Sequence, residues 1–279
     1  MTAPPVPKPL VLCADDYGQN AAIGAAVRAL AAAGRLSATS ALVLAPSWPA
    51  EAARLAELRG RLDVGLHLDW TSPFAVAAGH GLPLGAAMRR ALLGGFDRAA
   101  ARGVIERQLD AFEAAWGAPP DHVDGHQHVQ QFAGIREPLV ELLARRYGPR
   151  APWLRVARAP AGQRDAKARV IAWMGADALE KIAVRAGLTA TGTLSGIYSF
   201  DGDEAAYGHR MAAWLAGSPA GTVLMCHPAV AAAGAADDDP TADPIAAARV
   251  QEFRFLAGEA FAALLRSGGV QLVRASLRA

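Results

Sequence analysis

Three of the seven histidines in this 279-residue chain lie in one short stretch, residues 121–129. A Pro-Pro pair precedes the stretch, and we predict a short buried strand over Asp121–Asp124 that runs into a polar turn. If the chain stays extended, alternation of side chains projects Asp124, His126 and His128 to one side. A carboxylate and two imidazoles that converge can bind a divalent metal or exchange protons with a substrate. Taken alone, the stretch leaves a polar loop with solvated histidines equally open.

Other apolar runs also end in side chains that can do chemistry: Asp15 and Asp16 after Leu10–Ala14, His67 within Leu62–Leu68, and His227 after Thr222–Cys226. Strand-like and helical patterns alternate along the chain, which predicts parallel strands joined by helical crossovers. We expect an α/β fold, a single (β/α) barrel-like domain over residues 1–279, with about seven or eight mostly parallel strands. Residues 1–8 are expected to be disordered or extended. In such a barrel the carboxyl ends of the strands meet at one mouth, so these side chains should share one site.

Four longer segments have a less regular pattern. Helical spacing predicts one helix over Ala166–Ala186 and another over Ile245–Arg266. The Gly-, Pro- and Ala-rich stretch Thr71–Phe96 is expected to be a long substrate-binding loop after a strand. Residues Ala231–Asp243 are expected to be mobile.

Composition limits the partners and the location. A net charge of +2 without a long basic run gives no electrostatic case for nucleic acid. No apolar stretch reaches the roughly 18 residues of a membrane span, and the N-terminus lacks a signal-peptide core. Cys13 and Cys226 lie inside apolar runs, so we expect buried thiols in a reducing, cytoplasmic location. These features leave homo-oligomerisation open.

The candidate residues match hydrolytic chemistry. One carboxylate with two histidines is a donor set for a divalent metal that leaves positions for water and substrate. A second carboxylate can accept a proton from the attacking water, and a histidine opposite can protonate the leaving group. Such a set can hydrolyse an amide or an ester. Neither a G-x-S-x-G motif nor a G-x-G-x-x-G motif after the first strand is present, so serine hydrolases and dinucleotide-binding folds lack support.

Four motifs in the same order resemble those of the YdjC-like carbohydrate deacetylases over nearly the whole chain: Ala14-Asp15-Asp16-Tyr17-Gly18, Gly65-Leu66-His67, His122-Val123-Asp124-Gly125-His126-Gln127-His128 and Met225-Cys226-His227-Pro228. The resemblance implies a (β/α) barrel that removes an N-acetyl group from an amino sugar with the help of a divalent metal, which in this family is Mg²⁺, whereas two histidines and a carboxylate also suit Zn²⁺. It implies that Asp16, His67 and His126 are the metal ligands and Asp15 the general base. His227 is expected to be the general acid or to stabilise the oxyanion.

The remaining candidates are assigned less directly. By similarity to the more distant polysaccharide deacetylases, Arg155 is expected to orient Asp15. Three residues are candidates for contact with the N-acetylated carbohydrate: His128, Tyr17 and Asp124. Asp124 has a second interpretation, a hydrogen bond that fixes the tautomer of a histidine. For Tyr17, packing is the favoured interpretation.

Two other functions stay open. A metal-dependent phosphoesterase is disfavoured because no basic cluster accompanies the motifs. A non-catalytic sugar-binding protein that contains a metal is disfavoured because binding alone does not need a second carboxylate. Gln127 and Gln130 replace histidines that the family often carries, so the resemblance does not extend to a particular sugar.

Overall fold

Eight strands form the centre of the fold in the computed structural model, which describes residues 6–231 and 243–277. The strands are Lys8–Tyr17 (β1), Ala38–Ala41 (β2), Asp63–Leu68 (β3), His122–Gly125 (β4), Trp153–Leu154 (β5), Leu194–Ser195 (β6), Val223–Cys226 (β7) and Val270–Leu272 (β8). Every pairing among them is parallel, in the order β5-β4-β3-β2-β1-β7-β6, and β8 pairs with the start of β1. The predicted parallel, barrel-like α/β fold is therefore confirmed.

Helices join consecutive strands. They are Ala21–Ala32 (α1), Trp48–Leu55 (α2), Pro73–Ala77 (α3), Leu84–Leu92 (α4), Arg98–Trp116 (α5), Arg136–Tyr147 (α6), Ala166–Trp173 (α7), Ala176–Arg185 (α8), Glu204–Gly217 (α9), Ala246–Ala257 (α10) and Glu259–Ser267 (α11). Among these described helices, none combines the length and the apolar character that crossing a bilayer requires.

Most strand residues are buried because both faces of the sheet are covered. Alternate residues of β1 belong to two different clusters: Leu10 and Leu12 pack outward against the helices, whereas Val11 and Cys13 pack inside the curled sheet. The second, smaller cluster includes Trp153. Parallel strands buried on both faces read as continuous apolar runs, and a polar residue in such a run needs a partner.

Between β5 and β6 the ring is completed by a few hydrogen bonds and not by a strand ladder. The Leu154 N–H donates to Thr189 O (2.8 Å), the Thr191 N–H donates to Leu154 O (2.9 Å), and the Leu194 N–H donates to Arg158 O (2.8 Å). The sheet is therefore a curled half-barrel whose two edges meet at an irregular seam, formed by residues 154–158 and 189–194.

Two predicted long helices are each divided in two. The segment predicted as one helix over Ala166–Ala186 breaks at Gly175, whose φ is 137°. A Cβ at that position would lie 2.1 Å from Gln131 O, so this close approach admits only glycine. The segment predicted over Ile245–Arg266 breaks at Gly258, which has extended backbone. The helical pattern of the sequence therefore continues through both glycines, whereas the backbone conformation at each of them ends one helix before the next begins.

Two further predictions are revised at the level of local structure. The predicted loop Thr71–Phe96 contains two short helices, α3 and α4, and the Ser72 side chain caps the first of them by accepting hydrogen bonds from backbone N–H groups. The N-terminal extension predicted for residues 1–8 is shorter, because Lys8 already belongs to β1.

Two predicted segments lie wholly or partly outside the described residues. They are the stretch Ala231–Asp243, apart from its two ends, and residues 1–5 of the N-terminal extension.

Candidate active site and metal centre

Two adjacent carboxylates near the end of β1, those of Asp15 and Asp16, both face the carboxyl end of the barrel. Ala14 pairs with Thr39 and Tyr17 with Ala41, so β1 holds one extra residue, a β-bulge, at Asp15 and Asp16. Asp16 has a φ of 65°, in the left-handed region. Neighbouring strand residues ordinarily point to opposite faces, and a bulge re-aims one of them. Both carboxylates consequently approach His67 Nε2, Asp15 Oδ2 at 3.9 Å and Asp16 Oδ1 at 3.4 Å.

The pairing of β3 with β4 places His67 directly beside Asp124. The His67 Nδ1–H donates to Asp124 Oδ1 (2.7 Å), which leaves Nε2 as the atom that faces Asp16. Asp124 is fully buried, and its Oδ2 accepts from Ser40 Oγ (2.5 Å). Burial alone would raise the pKa of Asp124, but the positive charge of Arg155 and that of His67 outweigh it and hold this pKa well below its usual value. Asp124 is therefore a buried, charged support for His67.

After β4 the chain turns sharply, and the expected alternation of Asp124, His126 and His128 is wrong. Residues His126–Gln131 form a 3-10 segment in which Gln127 and His128 have left-handed φ values of 52° and 64°. The turn nevertheless brings His126 to the site, because its Nδ1 lies 3.1 Å from Asp16 Oδ1. Non-glycine residues with positive φ cost energy and commonly cluster at functional sites.

The three residues Asp16, His67 and His126 offer donor atoms that all lie within 4.8 Å of one another. Two imidazole nitrogens and a carboxylate oxygen form a donor set for a divalent cation with room for further ligands. Burial would lower the pKa of His67, but Asp124 and Asp15 together raise it to about 10. A histidine binds a metal in its neutral form, so a cation here would replace a proton on Nε2. The donor set fits a divalent metal on these grounds.

Two other groupings of possible ligands are poorer. Cys13, His122 and Asp124 also lie within 4.8 Å of one another, but burial and then the charge of Asp15 raise the pKa of the Cys13 thiol. A thiol must lose its proton to bind a metal, so this group does not suit one. In the third grouping, Asp15 and Asp124 with His67, both carboxylates are already paired with Arg155.

Arg155, directly after β5, is fully buried and holds Asp15 with two hydrogen bonds. Its Nη1 donates to Asp15 Oδ1 (2.7 Å) and its Nη2 donates to Asp15 Oδ2 (2.7 Å), the parallel fork that guanidinium and carboxylate form. Nη1 also lies 2.9 Å from Asp124 Oδ2. One guanidinium therefore fixes the orientation of two carboxylates at once.

His227 follows β7 and lies on the far side of Asp15 from His67. Its Nε2 is 3.9 Å from Asp15 Oδ2, the same distance as that from His67 Nε2 to this oxygen. The ring of Phe200 meets the imidazole edge-on, with centroids 5.1 Å apart. Asp15 Oδ2 is thus flanked by an imidazole of the metal-ligand set on one side and by a free imidazole on the other.

The profile of the YdjC-like protein family matches residues 9–267 of this chain. The chain belongs to the YdjC-like family. A human protein and a mouse protein, each named carbohydrate deacetylase, are 31% and 30% identical to it over 94% of this chain and over 88% and 92% of their own lengths. The resemblance inferred from the four motifs is therefore confirmed.

A solved structure has a similar fold. It comes from Enterococcus faecalis V583 and is described as a candidate cellobiose-phosphate cleavage protein. It superposes with a TM-score of 0.72 at 16% identity and covers 98% of this chain and 99% of its own. At this identity the match shows a shared fold alone.

Of the remaining predicted residues, Tyr17 directs its side chain to helix α2. Its hydroxyl donates to Glu51 O (2.8 Å), and its ring meets Trp48 edge-on with centroids 6.4 Å apart. His128 is nearly buried, and no described residue hydrogen-bonds its Nδ1. Burial and then the charge of Arg155 lower the pKa of His128 to about 3, so its imidazole is neutral.

Sequence reasoning missed two buried charged residues next to the candidate site, Arg249 and Glu252, both on α10. The Arg249 Nη2 donates to Asp16 Oδ2 (2.6 Å), and Glu252 Oε2 accepts from the His227 N–H (2.6 Å). The sequence did contain a signal for them, because Arg249 and Glu252 lie at helical spacing from the apolar Leu256 and therefore on the buried face of a helix. Charges within the apolar stripe of a helix need partners, and here the partners are site residues.

Proposed function

We propose that this protein is a divalent-metal-dependent deacetylase that removes the N-acetyl group from an amino sugar in an oligosaccharide or glycolipid. The observation that carries the proposal is the arrangement around Asp15. Its carboxylate lies between the donor set of Asp16, His67 and His126 on one side and His227 on the other. This arrangement supplies a metal site, a base and an acid, which together suit metal-assisted hydrolysis of an amide.

In the proposed site, Asp16 Oδ1, His67 Nε2 and one ring nitrogen of His126 hold the metal. When bound, such a cation polarises a carbonyl oxygen and makes water more acidic. Asp124 keeps His67 in the tautomer that presents Nε2.

Asp15 is the proposed general base. Oδ2 is the oxygen that lies nearest to both His67 Nε2 and His227 Nε2 and is therefore the atom that accepts a proton from the attacking water. Arg155 binds both Asp15 oxygens, so it fixes the direction from which the proton arrives. A base held in this way needs no rearrangement at the moment of reaction.

His227 is the proposed general acid. As the tetrahedral species collapses, the amine nitrogen of the sugar needs a proton before it can leave. The Nε2 of His227 lies across Asp15 from the metal ligands, on the side where the leaving amine would sit. The same imidazole, when protonated, stabilises negative charge on the acetyl oxygen.

The substrate class is inferred from the human and mouse relatives, which are named carbohydrate deacetylases. A phosphoesterase is disfavoured because, in the part of the chain that the structure describes, Arg155 and Arg249 at the site are paired with carboxylates. A cytoplasmic location stays a proposal, supported by two buried, unpaired cysteines.

The test is acetate release from a panel of N-acetylglucosamine oligomers and N-acetylated glycolipids, with and without a chelator and with Mg²⁺ or Zn²⁺ restored. We expect release that the chelator abolishes and that one of the two cations restores. His126→Ala should lose both metal binding and activity, whereas Asp15→Asn should retain metal binding and lose activity. Release that continues in chelator, or that Asp15→Asn leaves unchanged, would refute the mechanism.

A further inference from the structure

Helix α10 presents two buried charges of opposite sign to the site. Arg249 is 3% exposed and Glu252 is fully buried, and three positions separate them, so they lie on one face of the helix. Burying a charge is unfavourable unless it is paired and hydrogen-bonded. Their partners belong to opposite sides of the proposed site: Arg249 binds a proposed metal ligand, and Glu252 binds the segment that carries the proposed acid.

Arg249 binds one carboxylate oxygen of Asp16, and the other oxygen faces the two histidines of the proposed metal site. Asp16 Oδ2 accepts a hydrogen bond from Arg249 Nη2 (2.6 Å), while Asp16 Oδ1 faces His67 Nε2 and His126 Nδ1 at 3.4 and 3.1 Å. With Oδ2 occupied, only Oδ1 is offered to a cation. The carboxylate is thereby restricted to one orientation and to binding through a single oxygen.

Arg249 is itself held from two further sides. Its Nε donates to Asp243, just before α10, and its Nη1 lies 3.5 Å from His227 O. Asp16 needs such a support, because its left-handed backbone is not a conformation that an aspartate adopts without cost. The guanidinium therefore connects the bulge of β1 with the loop after β7.

Glu252 acts in the same way on the other side. Its Oε2 accepts from the His227 N–H (2.6 Å), and its Oε1 accepts from the Tyr198 hydroxyl (2.6 Å). Tyr198 in turn contacts Phe200, the ring that meets His227 edge-on. Glu252 thus fixes both the backbone of His227 and the aromatic residues against its imidazole.

We propose that α10 is a positioning element for both halves of the site: Arg249 fixes Asp16 for the metal, and Glu252 fixes His227 for proton transfer. The inference rests on the proposed metal site. It is distinct from a purely electrostatic role for Arg249, because a counter-charge beside a ligand carboxylate weakens attraction for a cation, whereas a positioning contact strengthens binding.

The experiment compares Zn²⁺ binding by calorimetry in wild type, Arg249→Met and Arg249→Lys. If positioning dominates, Arg249→Met weakens Zn²⁺ binding by roughly 10–100-fold, the usual effect of removing a partner of a ligand. Lysine retains the charge but lacks the fork that reaches Asp16 and Asp243 together, so Arg249→Lys should also bind more weakly. Tighter binding by Arg249→Met, or wild-type binding by Arg249→Lys, would overturn the role of Arg249.

Glu252→Gln, which preserves the shape of the side chain, supplies the second half of the test. We expect its Zn²⁺ affinity, and its KM for a panel substrate from which wild type releases acetate, to match those of wild type. Its kcat for that substrate should fall by about tenfold or more, because general acid catalysis contributes ~10²–10⁴-fold to a rate. A kcat equal to that of wild type, or an equal loss of Zn²⁺ affinity, would overturn the role of Glu252.

Two controls on the same helix separate positioning from general destabilisation. Leu256→Ala removes a buried apolar side chain and should lower the melting temperature without changing Zn²⁺ affinity, and the exposed Arg254→Ala should change neither. If Leu256→Ala weakens Zn²⁺ binding as much as Arg249→Met does, the positioning role is overturned. Failure of wild-type protein to bind Zn²⁺, Mg²⁺ or Mn²⁺ would instead refute the proposed function, which His126→Ala tests independently.

Discussion

Replacing Arg155 by methionine should destabilise the protein strongly because it leaves buried carboxylates without their counter-charge. Arg155 is fully buried and donates to both oxygens of Asp15, and it also pairs with Asp124. Asp124 keeps its hydrogen bonds with His67 and Ser40. Asp15 has no comparable replacement among the described residues, so the main cost falls on its carboxylate.

The size of the effect follows from that arrangement. Removing one partner of a buried ion pair costs about 3–5 kcal/mol of unfolding free energy. For 279 residues, an unfolding entropy of ~2.1 cal/mol/K per residue makes each 1 kcal/mol equal to somewhat under 2 °C, so Arg155→Met should lower Tm by roughly 5–8 °C. The exposed Arg150→Met is a matched control and should shift the free energy of unfolding by no more than ~0.5 kcal/mol.

A second substitution tests whether the charge of Asp15 is the cause. In the Arg155→Met background, Asp15→Asn removes the unpaired charge and should return ~1–3 kcal/mol, although Asp15→Asn alone removes a favourable pairing. The assay is thermal and urea unfolding of the four proteins, wild type, each single variant and the double variant, in chelator, so that metal binding does not contribute. If the two substitutions destabilise additively, Arg155 does not hold Asp15 through charge and the reasoning about the base is refuted.

Three further predictions concern single positions. Asp124→Asn should weaken Zn²⁺ binding by roughly 10–100-fold, measured by calorimetry, because His67 loses the charged acceptor that orients it; unchanged affinity would contradict this role. Gly65→Ala should cost about 1–3 kcal/mol in urea unfolding, because the added Cβ would lie 2.3 Å from the fully buried His122 ring; wild-type stability would show that the ring can move. Gln127→Gly should stabilise the protein by up to ~1 kcal/mol, because this exposed residue has left-handed backbone; a lower Tm would mean that its side chain contributes more than its backbone costs.

The meeting of the strand ends could be predicted from the sequence because it depends on pattern alone. An apolar run that ends in Asp15 or His227 indicates a buried strand that emerges at the carboxyl edge, and parallel strands bring all such edges together. The closeness of His67 on β3 to Asp16 on β1 follows from this rule.

Other features depend on contacts that no local pattern contains. The bulge that turns Asp16 toward the site shows only in the register of β1 against β2. Gly175 breaks a helix because Gln131 O lies where a side chain would begin, and these two residues are far apart in the sequence. Arg249 resembles an ordinary charge on a helix until Asp16 is found opposite it.

The seam between residues 154–158 and 189–194 is the part of the ring that strand ladders do not hold together. The proposed metal ligands lie on β1, β3 and just after β4, where parallel ladders, interrupted by the bulge at Asp15 and Asp16, pair neighbouring strands. Among the described residues, widening the ring would break three backbone hydrogen bonds across the seam and those of the Thr191 hydroxyl, which accepts from the Val156 N–H and donates to Leu154 O. Arg155 borders it on one edge, and the chain leading to Tyr198 and Phe200 borders it on the other. Substitutions along the seam would therefore alter the width of this side of the ring while the proposed metal ligands on the opposite wall keep their positions.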